Sequence, residues 1–266
     1  MIKLIFRCNS NPEEGLGHFI RCFNLACGIK SINSEARIIF DGNFCSFSSG
    51  KINRAGFEYL NHSELSLTYS QSMLIFDSYK HNQEFINDIT GLAKYTVKID
   101  DFNRYDLSRV DCVVNFRAGS EKEKYNSKKC LLGLKYFPAP LSLVELRKKN
   151  INKYFLKEKK DISKIVIFIG GTDFNNIGAK LIKYLDEIVA EKTLLYAKRD
   201  NKKLKQKILR NKLQLVPLQE DISLILLDAD CVICGGGLMK YDAGFSLIPN
   251  VSLSQTSDQN IDSEIL

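Results

Sequence analysis

The chain has 266 residues, 44% hydrophobic and 26% charged, the balance of a soluble globular protein with one large domain or two modest ones, which excludes disordered and fibrous classes. Its longest apolar runs, such as residues 165–169 and 222–227, fall far short of the ~20 residues that cross a bilayer. The formal net charge of +7 comes from 38 basic against 31 acidic residues, with much of the excess in 147–160 and 198–212. In the second of these runs Leu204 and Ile208 keep i, i+4 spacing among lysines, which favours a solvated amphipathic helix over a nucleic-acid or anionic-membrane surface.

Taken in chain order, Met1-Ile-Lys-Leu-Ile-Phe-Arg alternates apolar and polar residues and lacks the apolar core and cleavage site of a signal peptide. Residues 2–6 therefore read as a first strand, and the compartment as cytoplasmic. Further candidate strands in the first half are 37–40, 73–76, 96–99 and 112–114, and three of the five end in acids: Asp41, Asp77, and Asp100 with Asp101. Polar groups at the carboxyl ends of parallel strands mark a ligand crevice. The stretch 147–160 is charged with little apolar periodicity and reads as a linker, separating a domain of residues 1–146 from one of residues 161–266. There the alternation restarts: strand 164–169, helix 175–189, strand 193–196, the basic helix, strand 213–216, helix 221–228, strand 231–234, helix 239–245 and strand 251–253. Short strands alternating with helices imply βαβ units, hence two Rossmann-like α/β halves.

The eight cysteines are scattered, several in apolar runs, as in a reducing cytosol. Cys231-Val-Ile-Cys234 has redox spacing but lies in a predicted buried strand, where packing is the better account. None of the three histidines, His18, His62 and His81, stands at ligand spacing to a cysteine pair, so no metal is expected.

Three glycine turns carry the candidate chemistry. Gly15-Leu-Gly17-His18 follows the first strand and opens a helix with Arg21, a place where free N–H groups and the helix dipole suit a diphosphate. His18 there is a general-base candidate; the alternative is that the glycines only shape the turn and His18 caps or packs. Gly15, Gly17, Arg21 and the strand-end Asp77 are candidate substrate-binding residues. Gly170-Gly171-Thr172-Asp173 forms the second turn, able to approach phosphate oxygens or merely to connect strand and helix, with Thr172 or Asp173 capping. Gly235-Gly236-Gly237 forms the third and opens a helix bearing Asp242, an acid placed to hold ribose hydroxyls. Ser254, Gln255, Asp258, Gln259 and Asn260 after the last strand either grip a sugar or form a loop.

These blocks together carry a family resemblance over nearly the whole chain: Phe6-Arg7, Gly15-Leu-Gly17-His18-Phe-Ile-Arg21-Cys22, Phe76-Asp-Ser-Tyr79, Ile99-Asp-Asp101, Gly133-Leu-Lys-Tyr136, Phe168-Ile-Gly-Gly-Thr-Asp173 and Asp258-Gln-Asn260. The chain resembles the UDP-2,4-diacetamido-2,4,6-trideoxy-β-L-altropyranose hydrolases of pseudaminic acid biosynthesis, themselves similar to GT-B glycosyltransferases. The resemblance implies a GT-B-like fold, two Rossmann-like domains whose parallel sheets face a central cleft. It also implies a hydrolase without metal or cofactor that breaks the anomeric C–O bond and releases UDP. His18 would activate water, Tyr79 would contact the sugar or position that water, and Gly170, Gly171, Gly236 and Gly237 would hold UDP. The family's final motif falls on Asp258-Gln259, with Gln259-Asn260 the second choice.

Three departures stand out: Asn9 where the family has Asp, Asp242 where it has Glu, and Leu238 where Ser or Thr often follows the glycines. Glu13 and Glu14 add two carboxylates beside the supposed phosphate site. The rival readings are a GT-B glycosyltransferase and a non-catalytic nucleotide-sugar-binding protein. The chain stops where a final helix has barely begun, which would leave Val251 and Leu253 uncovered and favour self-association.

Overall fold

Two all-parallel β-sheets organise the chain. The computed structural model describes residues 2–60, 69–155, 161–170, 173, 177–185, 188, 190–196, 213–217, 219 and 221–265. They divide into two compact units, Met1–Pro140 with Ile265–Leu266, and Leu141–Glu264.

In the first unit β1 (Lys3–Cys8), β2 (Arg37–Asp41), β3 (Glu58–Leu60), β4 (Met73–Asp77), β5 (Tyr95–Ile99), β6 (Cys112–Asn115) and β7 (Lys129–Leu132) pair in the order β3-β2-β1-β4-β5-β6-β7. Helices α1 (Gly17–Ile32), α2 (Ser46–Arg54) and α3 (Gln83–Thr90) complete it. The central strands are buried on both faces, as parallel strands covered by helices must be. Ile5, Ile39, Leu74, Phe76 and Val113 pack with Ile86 and Ile89 of α3, while Phe40, stacked on Phe6 at 5.2 Å, meets Phe19 and Phe23 of α1 at 5.7 and 6.2 Å. Each such side chain removed from water contributes about 1.5–3 kcal/mol.

In the second unit β8 (Lys164–Phe168), β9 (Glu191–Tyr196), β10 (Leu213–Pro217), β11 (Cys231–Gly235) and β12 (Asn250–Leu253) pair in the order β10-β9-β8-β11-β12. Its helices are α4 (Leu141–Phe155), α5 (Ile177–Tyr184), α6 (Ser223–Leu226), α7 (Leu238–Phe245) and α8 (Ser257–Ile265). Val166, Val232 and Cys234 pack with Leu143, Leu146, Leu226, Met239 and Ala243 on one face. Ile165, Ile167 and Leu194 pack with Ile177 and Leu181 on the other.

Each sheet grows outward in both directions from a central pair, and that is where its strand order reverses: β1 beside β4 in the first, β8 beside β11 in the second. Connections leaving such a pair diverge, so a crevice opens beyond the carboxyl ends of both strands. The architecture is the two parallel-sheet α/β domains of the GT-B fold.

The predicted strands match to within one or two residues, with β3 and β7 added. Both additions are sheet edges; Glu58 and Tyr59 are exposed and β7 is only half-buried, so neither carries the apolar run of a covered strand. Helix 221–228 shortens to α6, and of helix 175–189 the described part is α5. The basic run 198–212, with Leu204 and Ile208, lies outside the described residues, as does His62.

Two expectations change. Residues 147–155, read as linker, are the second part of α4. The helix is anchored in the core by Leu143 and Leu146, but the part beyond them docks through polar groups: Arg147 Nη1 donates to the Phe245 carbonyl at 2.6 Å and Asn150 Nδ2 to the Ser246 carbonyl at 2.9 Å, which apolar periodicity does not reveal. The final helix, expected to be missing or vestigial, is the nine-residue α8. Lys240 of α7, fully buried, reaches Asp262 of α8 at 2.6 Å, and the Tyr241 hydroxyl donates to the same carboxylate at 2.7 Å. Leu253 packs into the core while Val251 stays exposed.

Removing one partner of a buried pair strands the other charge. Asp262→Ala is therefore expected to lower unfolding free energy by about 3–5 kcal/mol in denaturant titration, with Lys240→Met in the same chain recovering part of the loss. A change under about 1 kcal/mol would mean that apolar packing alone holds α8.

Candidate functional site

The loop leaving β1 enters α1, whose residues 18 and 21 share one face because side chains three apart on a helix are neighbours. That face lies against the end of β4, and Asp77, 1% exposed, takes both. Asp77 Oδ1 lies 2.8 Å from His18 Nδ1, while Arg21 donates Nε to Oδ2 at 2.5 Å and Nη2 to Oδ1 at 2.6 Å. Arg21 Nη1 donates to Asp101 Oδ2 at 2.7 Å. The Tyr79 hydroxyl donates to the same Asp101 oxygen, and the Tyr79 ring meets the His18 ring edge-on at 4.4 Å. Arg117 donates to the Asp101 carbonyl and lies over the Phe102 ring at 5.0 Å.

Burial alone would raise the Asp77 pKa, but the charges of Arg21 and His18 and their hydrogen bonds hold it well below the usual carboxylate range. The carboxylate thus only accepts, which places the proton of neutral His18 on Nδ1 and leaves Nε2 as the basic nitrogen. Arg21 loses hydration by burial, yet the Asp101 and Asp77 charges raise its pKa well above the ordinary value. The Tyr79 hydroxyl is pushed up by burial first and the Asp101 charge second, although the residue as a whole is 55% exposed. His81, stacked on Phe85 at 4.1 Å, is pushed down to about 3 by burial and then by Lys98, so it stays neutral and takes no part in proton transfer near pH 7.

The acids of the preceding loop are answered locally. Glu14 accepts from Asn9 at 2.6 Å and Asn11 at 3.3 Å on one oxygen and from the Ser78 hydroxyl at 2.5 Å on the other. Glu13 pairs with Lys80. Gly15, at φ 73°, turns the chain into Gly17, the first residue of α1, and Leu16 at the N-cap provides no side-chain cap.

In the second unit Gly170 has φ 127° and follows β8, while Gly171 and Thr172 lie outside the described residues. Asp173 caps α5, accepting from the N–H groups of Ile177 and Gly178 at 2.8 Å each. Gly237 is the N-cap of α7 and makes no side-chain cap bond. A Cβ on Gly236 would lie 2.6 Å from Gln259 Cβ, so glycine is what lets α8 approach this turn. Gln259 Oε1 accepts from the Gln255 N–H at 2.9 Å. Asp258 lies in the first turn of α8. Asp242 is 8% exposed and makes no side-chain hydrogen bond among the described residues; burial raises its pKa to about 7.

His18, Arg21, Asp77 and Tyr79 thus come together in the first unit, and Gly170, Gly236, Gly237, Asp242 and Gln259 belong to the second. Asp173 and the Gln259 carbonyl are already used as caps. Sequence reading left Asp101, Phe102 and Arg117 unassigned; the acidic pair ending β5 was the available sign of the first, and nothing local marks the other two.

No family model matches the chain. An uncharacterized protein of Methanocaldococcus jannaschii is 24% identical over 278 residues, 97% of this chain and 57% of that protein, so the chain spans little over half the length of this curated relative. Among solved structures, MurG of Acinetobacter baumannii is similar at 10% identity and TM-score 0.60, covering 100% of this chain and 83% of that one. UDP-GlcNAc 2-epimerase of Neisseria meningitidis bound to UDP-GlcNAc is similar at 11% identity and TM-score 0.60, covering 99% and 85%. Anabaena Alr3699/HepE in complex with UDP-glucose is similar at 12% identity and TM-score 0.56, covering 100% and 89%. At these identities the likeness shows the fold. No helix of the described residues is long and apolar enough to cross a membrane.

An unfolded aspartate ionises near 3.9, so between about pH 4 and 7 the folded chain holds a proton on Asp242 that the unfolded chain has lost. Stability from this group declines as pH rises through that window, by up to about 1.4 kcal/mol per pH unit. Asp242→Asn is expected to flatten the wild-type-minus-variant difference in unfolding free energy above pH 7 and below pH 4, with the slope between. A difference independent of pH would show that Asp242 ionises normally.

Proposed function

We propose that the protein hydrolyses a UDP-activated 2,4-diacetamido-trideoxy sugar at its anomeric C–O bond, releasing UDP and the free sugar for pseudaminic-acid-type nonulosonate biosynthesis. The observation that carries this reading is the His18–Asp77 pair, which leaves an oriented imidazole with Nε2 as base. His18 takes a proton from water as the water oxygen bonds to the anomeric carbon, and the bonding pair departs on the diphosphate. Asp77 stays ionised and stabilises the imidazolium. Arg21 holds Asp77 in that state, so the proton remains on the histidine.

A diphosphate is a good leaving group and needs charge stabilisation rather than a strong acid. Each unit has a helix N-terminus without a side-chain cap, α1 in the first and α7 in the second, whose N–H groups have the right sign. Gly170, Gly236 and Gly237 allow close backbone approach to UDP, with Gly171 and Thr172 assigned the same role, and Asp242 accepts from ribose hydroxyls when ionised. Gly15, Gly17, Asp258 and Gln259 are assigned to the remaining substrate contacts. UDP-sugars bound in proteins of the same fold support the ligand class. The reaction takes place where UDP-sugars are made, in the cytoplasm.

UDP release from this UDP-sugar, without acceptor and with chelator present, is expected for the wild type and is expected to fall by about 10²–10⁴-fold in His18→Ala. UDP binding without release would instead identify a binding protein. Release only on addition of a sugar or lipid acceptor would identify a glycosyltransferase.

A further inference from the structure

The turn after β5 is built on Asp100. Its Oδ2 accepts from the N–H groups of Phe102 at 3.2 Å and Asn103 at 2.7 Å and from the Tyr125 hydroxyl at 2.9 Å. Asn103 takes φ 50°, a conformation Asn tolerates better than most residues. Phe102, so held, lies 5.1 Å from the Tyr79 ring.

Asp101, 4% exposed, is thereby set against Arg21 and Tyr79, both of which donate to its Oδ2. Its Oδ1 is buried and has no hydrogen-bond partner among the described residues. A carboxylate with one oxygen unanswered keeps a strong demand for donors on the other. A phenol has a single proton, and here that proton goes to Asp101. Toward any other group the Tyr79 oxygen can then only accept, and it stands on a ring packed edge-on to His18.

We propose that Asp101 is a positioning residue for the hydrolysis: by engaging the Tyr79 proton, it makes the phenol oxygen an acceptor that orients the attacking water toward His18. The inference rests on the hydrolase reading. One water proton passes to His18 Nε2 as the C–O bond forms; the other stays on oxygen, donated to Tyr79. No proton moves along Tyr79 and Asp101, so both end the cycle as they began it.

The test is a double-mutant cycle on kcat and KM for UDP release. Tyr79→Phe and Asp101→Ala are each expected to lower kcat about 10²-fold with KM nearly unchanged, and the double variant to be no slower than either, because the two act as one unit. Asp101→Asn, isosteric and still an acceptor for the phenol, is expected to recover about 10-fold of the loss and replaces the alanine variant in the cycle if that chain does not fold. Additive losses, a full-rate Asp101 variant, or a loss confined to KM would overturn the role while leaving the hydrolase reading intact. A wild type that releases no UDP would remove that reading and this role together.

Discussion

A carboxylate buried at the end of β4 sets the terms for the first unit. Asp77 retains 1% of its surface, and an ionised group so placed costs several kcal/mol of desolvation unless charge and hydrogen bonds offset it. Arg21 answers with a two-point grip, His18 with a third contact, and the Cys22 thiol lies 3.8 Å from Oδ2. All three come from one face of α1, so the axial rotation of that helix is fixed by the charge as much as by Phe19 and Phe23 beneath it. Arg21 then has one arm left, and it goes to Asp101. The end of β4, the turn after β5 and the first turn of α1 are therefore held by a single guanidinium. A group that rigidifies three segments around an imidazole also prevents Asp77 from competing for its proton.

The second unit repeats the topology with a different division of labour. Its glycine turns follow β8 and β11, the two strands at which the sheet order reverses, but its side chains are largely spent on holding the turns. Asp173 caps α5 and Gln259 caps the chain at Gln255. Lys240, which would otherwise add positive charge, is buried against Asp262. Among the described residues of these turns, that leaves the backbone N–H groups at the α7 N-terminus and the buried Asp242 carboxyl. The first unit is organised around charged side chains, the second around main chain.

Strands covered on both faces announce themselves as short apolar runs, legible in β1, β4, β8 and β11, and glycine turns mark where the chain reverses after β1, β8 and β11. Groups whose role depends on a partner far along the chain were not. Asp101 stood out only as half of an acidic pair, because its partners Arg21 and Tyr79 lie 80 and 22 positions away. The polar docking of α4 beyond Leu146 hid that part among linkers, since Arg147 and Asn150 bind carbonyls that apolar periodicity does not count. Lys240 and Asp262 hid α8 in the same way, a polar clamp in a segment whose mean character is hydrophilic.

Asn9, Glu13 and Glu14 form one arrangement rather than separate departures. An aspartate at position 9 would face the Glu14 carboxylate across the 2.6 Å now spanned by an N–H donor, whereas Asn9 donates to Glu14 and accepts from the Asn43 N–H at 2.9 Å. Glu14 has its oxygens satisfied by Asn9, Asn11 and Ser78, and Glu13 is neutralised by Lys80. Neither acid caps α1, since the residue at its N-cap is Leu16 and no side-chain cap bond is made. The carboxylates therefore brace the loop against the turn after β4 and leave the α1 dipole uncancelled by a capping side chain. A loop carrying two negative charges can in this way border an anion site, because hydrogen bonds and an ion pair direct those charges at the protein itself.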